Sequence, residues 1–73
     1  MERITKIGQI KKGDKLVVIG KQDKFTEMTD VDNVLHEGKD HEEILLHEGE
    51  ENIYFIMSMY LDGTSWAEKV YRI

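Results

Sequence analysis

The sequence predicts a mostly β protein, a small antiparallel sheet with room for one short helix (an α+β variant of the same plan), and three observations carry that prediction. A β-branched run, Leu16-Val17-Val18-Ile19, is bracketed by Gly13-Asp14 and Gly20. Two further strand-like stretches, 53–61 and 66–73, flank Asp62-Gly63-Thr64-Ser65. The chain has 73 residues, so it can build one hydrophobic core and residues 1–73 form a single domain. It has no cysteine, so no disulfide supports that core, and a second subunit is one of the few remaining ways to reinforce it.

Taken in order, residues 15–21 read as a central strand, because β-branched residues without polar alternation suit a strand buried on both sides. Met28, Val31, Val34 and Leu35 then recur at helical spacing, with Thr29 or Asp30 as N-cap and Gly38 as stop, which predicts a short helix. Asp40 and Glu43 could cap a second helix, but Ile44-Leu45-Leu46 fits a short buried strand better. As one strand, residues 53–61 put Ile53, Phe55, Met57, Met59 and Leu61 on one face and Tyr54, Ile56, Ser58 and Tyr60 on the other. Asp62-Gly63 then predicts a C-terminal hairpin. Leu35-His36-Glu37-Gly38 recurs as Leu46-His47-Glu48-Gly49, which reads as two similar turn endings and not as a solenoid repeat.

A 53–61 strand with two apolar faces needs cover on its second face. Residues 28–36 are the intramolecular choice, and a homodimer joined through Tyr54, Ile56 and Tyr60 is the intermolecular one.

The formal charge of −5 is unevenly divided. Residues 1–26 carry seven bases and three acids, residues 27–51 carry ten acids and the single base Lys39, and the remainder is neutral. A block of this kind repels nucleic acid and attracts basic proteins. The expected partner is therefore a basic, DNA-binding protein, met by Asp30, Asp32, Glu37, Asp40, Glu42, Glu43, Glu48, Glu50 and Glu51. The competing reading is that these carboxylates only solvate loops.

Catalytic chemistry finds little support. No Gly-x-Ser-x-Gly elbow or phosphate-binding glycine loop occurs, and adjacent acids such as Glu42 and Glu43 would need a concave pocket to act as acid and base. His36, His41 and His47 are spaced by five and six, which presents no imidazole pair on one helix or strand face. Asp30, Asp32 and Asn33 lack the glycine an EF-hand requires, since Leu35 stands at that position. The reading is a non-enzymatic protein with no cofactor and no metal. A metal- or ligand-binding domain using the histidines is one alternative. The first twenty residues hold no apolar signal-peptide core, and the longest apolar run is nine residues, so a cytoplasmic location is expected.

Two resemblances extend this reading. Lys11-Lys12-Gly13-Asp14-Lys15-Leu16-Val17-Val18-Ile19-Gly20-Lys21 resembles the opening of a KOW-type segment, a turn and strand of SH3-like barrels in ribosomal and transcription proteins. It implies a small antiparallel SH3-like barrel or sheet. It also implies an alternative function, nucleic-acid binding through Lys11, Lys12, Lys15, Lys21 and Lys24. The whole chain, short, acidic and cysteine-free, is similar in type to the small proteins with which bacteriophages inhibit host factors. That similarity implies a protein of the host cytoplasm that inhibits its partner, with the nine carboxylates standing in for DNA phosphates.

Overall fold

The computed structural model describes residues 1–23, 26–48 and 51–73, and their side chains apart from those of Asp23, His47, Glu48, Glu51 and Asn52. Among the described residues are six strands, β1 (Glu2–Arg3), β2 (Lys15–Gly20), β3 (Thr26–Leu35), β4 (Glu43–Glu48), β5 (Glu51–Ile56) and β6 (Ala67–Arg72), and one α-helix, α1 (Met57–Asp62), between β5 and β6. All pairings are antiparallel, in the order β1-β6-β2-β3-β4-β5. The expected mostly β fold with a short helix is therefore the one observed, and it is an open sheet in which β1 and β5 are the outermost strands.

The β-branched run is central as expected, with β2 lying between β3 and β6. Leu16 and Val18 point into the core while Val17 and Ile19 lie half-buried on the other face. Strand β3 belongs to two ladders. Its first half pairs with β2 and its second with β4, and the register shifts between Val31 and Asn33. Asp32 and Asn33 are consecutive exposed residues at that shift, the mark of a bulge that bends the strand. The bend lets both halves of the sheet enclose one core, including Ile4, Ile10, Leu16, Val18, Val31, Ile44, Leu46, Phe55, Met57 and Val70.

Residues 28–35 form strand and not helix. Thr29 and Val31 are buried while Met28, Asp30 and Asp32 are exposed, so a period of two overrides the helical spacing. Ile44-Leu45-Leu46 is the expected strand.

The stretch 53–61 is divided between β5 and α1. Met57 and Tyr60, three apart, bury their side chains, and Gly63 at φ 87° ends the helix in the left-handed conformation. Gly63 is therefore a helix stop and not a hairpin turn, and β6 pairs with β1 and β2 in place of β5. Met59 and Leu61, which strand alternation puts on one face with Phe55 and Met57, are exposed while those two are buried.

The N-terminal segment is tied down by two polar clusters. The Tyr60 hydroxyl donates to the carbonyl of Ile4 at 2.6 Å. Arg72 donates from Nη1 to the carbonyl of Gln9 at 2.7 Å and to the Asp14 carboxylate at 2.9 Å, and from Nε to Glu2 at 3.0 Å. Asp14 and then Glu2 hold the Arg72 guanidinium pKa above its ordinary value.

Candidate protein-interaction site

The predicted partner-binding acids whose side chains are described do not form one surface. Glu42 is 0 % exposed. Its carboxylate accepts the amide of Gly8 at 3.1 Å and that of Gly38 at 2.7 Å, and so joins the N-terminal segment to the β3–β4 turn. A buried carboxylate held by two amides serves the fold and cannot meet a partner's cations, so Glu42 is removed from the site.

The other described acids fall towards the two ends of β4. Glu37 and Asp40 occupy the β3–β4 turn. Glu37 pairs with Lys11 at 2.6 Å and raises that ammonium pKa. Asp40 accepts from the His41 ring at 2.9 Å, a bond that holds its carboxyl below the ordinary range. Towards the other end lie Asp30, in an ion pair with Lys15 at 3.8 Å, and the exposed Asp32. Glu48 and Glu51 face each other in backbone register there. The side chains of Glu48 and Glu51, and Glu50 altogether, lie outside the described residues. Glu43 is half-buried on β4, opposite Ile56.

Most of the described lysines of the alternative reading are engaged within the chain. Lys11 and Lys15 have carboxylate partners, and Lys21 donates to the carbonyl of Gly63 at 2.6 Å. Lys12 is exposed, and Lys24 lies outside the described residues. The His36 and His41 rings lie against each other at a 45° tilt with centroids 4.4 Å apart. Among the described residues no group of three or more His, Asp and Glu side chains converges as a metal site. No helix among them is long and apolar enough to cross a membrane.

What the fold does build is an apolar groove of about 390 Å³ over β5, between that strand, α1 and the segment leading into β6. Tyr54 is 51 % exposed, and Met59 and Trp66 stand exposed beside it, with Ile56 half-buried below. Trp66 reaches β5 from just before β6 and packs edge-on against Phe55 at 6.2 Å. Its indole N–H donates to the carbonyl of Tyr54 at 2.9 Å. That bond occupies an acceptor on the outward side of β5, where a further strand would otherwise add. The groove therefore suits an incoming side chain better than an added strand.

Of the three predicted self-association residues, Tyr54 and Ile56 line this groove, while Tyr60 is buried with its hydroxyl committed to Ile4. Met59 and Trp66 are the residues that strand alternation missed. Met59 was hidden by reading α1 as strand. Trp66, the single tryptophan, carried a signal, because an indole is a large apolar body with a donor that needs a partner.

Comparison with protein-family models, with curated proteins and with solved structures gives no match.

Proposed function

We propose that this chain is a non-enzymatic interaction protein that recognises a basic segment of another protein, anchoring one apolar side chain of that segment in the β5 groove. The observation that carries the reading is the exposure of Tyr54, Met59 and Trp66 around a preformed apolar groove on a chain of charge −5. Aromatic and methionine side chains are the residue types that concentrate binding energy at protein interfaces. The net charge attracts a basic partner, and the groove fixes where it binds.

DNA mimicry by charge spacing alone has less support. Glu42 is buried, and Glu37 and Asp30 already face lysines of the same chain. An apolar anchor on a chain of net charge −5 selects basic proteins without copying a phosphate ladder. Inhibition of a DNA-binding partner remains part of the proposal, because a basic segment occupied by this chain is withdrawn from nucleic acid.

The test uses the only tryptophan as reporter. An arginine-rich peptide with one central leucine is titrated while Trp66 emission is followed, alongside the same peptide with the leucine replaced by glycine. Saturable binding by the leucine peptide, weakened about tenfold in the glycine peptide and in Met59→Glu, is the expected result. Equal affinity for the two peptides would reduce the interaction to charge alone and overturn the groove.

A further inference from the structure

The outer face of the β1-β6-β2-β3 half of the sheet is also apolar, and it is independent of the β5 groove. Leu16, Val18, Thr29, Val31 and Val70 are buried on the inner face, so alternation turns Val17, Met28 and Tyr71 outward. These three lie in register on adjacent strands, Tyr71 opposite Val17 and Val17 opposite Met28. Ile19 and Ile73 flank that row. Met28 is 64 % exposed and Ile73 57 %. The row spans two strand spacings, roughly 10 Å, on a face that small antiparallel sheets usually leave polar.

The charge on this face has a direction. At the β1 and β6 side stand Arg3, whose guanidinium lies 5.8 Å from the Tyr71 ring centroid, and Lys69. Among the described residues neither has a carboxylate partner. At the β3 side stand Asp30 and Asp32, Asp30 already in an ion pair at 3.8 Å with Lys15, which β2 presents on this same face. The face thus runs from cationic on β1 and β6 to anionic on β3, with Lys15 on β2 beside the apolar row.

A two-fold axis in the plane of the contact and parallel to the strands brings β1 of one copy over β3 of the other and β6 over β2. Each copy's Arg3 then lies over β3 of its mate, beside Met28 and the Asp30–Lys15 pair, twice per dimer, while Tyr71 of each copy meets Val17 of the other at the centre. From this complementarity we infer that the face is a homodimer interface in which two sheets pack face to face. Aligned sheets about 10 Å apart leave room for these side chains to interdigitate. The contact also supplies the second subunit that a 73-residue chain without cysteine has reason to use. It moves self-association away from Tyr54, Ile56 and Tyr60.

Sedimentation equilibrium up to about 1 mM protein, close to the weak limit of specific association, tests it together with a charge swap. The wild-type chain is expected to dimerise. Arg3→Glu and Asp30→Arg should each weaken the dimer about tenfold, as expected for removing one partner of an interfacial charge pair. The double variant R3E/D30R restores opposite charges across the axis and should recover most of the loss. Concentration-dependent amide shifts in the wild-type chain should cluster on β2, β3 and β6, a readout that needs no variant to fold. A monomer throughout the range, a double variant no better than the singles, or shifts that cluster around Tyr54 and Trp66 would each overturn the inference. Failure of the β5 groove appears separately, in the peptide titration.

Discussion

Glu42 is the residue whose role departs furthest from its sequence context. It sits beside Glu43 in a polar run, where carboxylates are ordinarily solvated, yet its two oxygens accept amides from Gly8, 34 positions away, and Gly38. Both glycines have positive φ, 85° and 78°, the left-handed region that other L-residues disfavour. The Cβ that Gly8 lacks would lie 3.9 Å from the Gly38 Cα, so the two turns come together around the carboxylate. Glu42→Gln preserves the volume but sets an NH₂ donor against one of these amides. Its expected cost is about 1 to 3 kcal/mol, the range for a buried donor left without an acceptor. Urea denaturation measures it, and a loss below about 0.5 kcal/mol, an ordinary surface effect, would show that the carboxylate is not the clasp. A donor pair so remote in sequence leaves no local pattern, which is why burial at position 42 could not be read in advance.

At the scale of elements, the strands that carry strong local chemistry were legible. Leu16-Val17-Val18-Ile19 forms the centre of the sheet, and Ile44-Leu45-Leu46 lies in β4. The division of 53–61 into β5 and α1 was not, because Met57 and Tyr60 fit a helical period and the alternation of β5 continues through the same residues. What decides is tertiary. The Met57 amide is taken up by the carbonyl of Glu42 at 2.9 Å, and the amides of Thr64 and Ser65 by that of Met59 at 3.0 and 3.1 Å. The candidate site followed the same rule, since Tyr54 was legible as an exposed aromatic and its neighbours Met59 and Trp66 depended on the helix. Asp62 secures the exit from α1 by accepting the backbone amide of Thr64 at 2.9 Å and its hydroxyl at 2.5 Å, and these bonds hold its pKa below the ordinary 3.8. A depressed carboxyl pKa stabilises the fold at pH above the unfolded value and loses that contribution as pH falls through the folded one. Asp62→Asn should therefore be less stable than the parent at neutral pH, and the gap should close as the pH drops below 3.8. Thermal melts across that range check it; a gap that stays constant to low pH would assign the loss to geometry and not to the charge.

At the scale of the molecule, two apolar surfaces differ in what they ask of charge. The chain measures 28 × 25 × 23 Å and carries −5, so two copies repel at long range even while Arg3 and Asp30 attract at contact. A basic peptide approaching the groove is attracted at all distances. The Debye length falls from about 30 Å at 0.01 M ionic strength to about 8 Å at 0.15 M, which spans the size of the protein. Over that interval added salt removes the repulsion between copies faster than it screens ion pairs partly shielded by the apolar middle of the sheet face. It also removes the long-range pull on the peptide. The two equilibria should therefore move in opposite directions, with the dimer strengthening and the peptide complex weakening. Sedimentation equilibrium and Trp66 emission at the two ionic strengths measure both. If the two weaken together, contact ion pairs dominate both surfaces, and the apolar row of Val17, Met28 and Tyr71 contributes less to the dimer than its exposure implies.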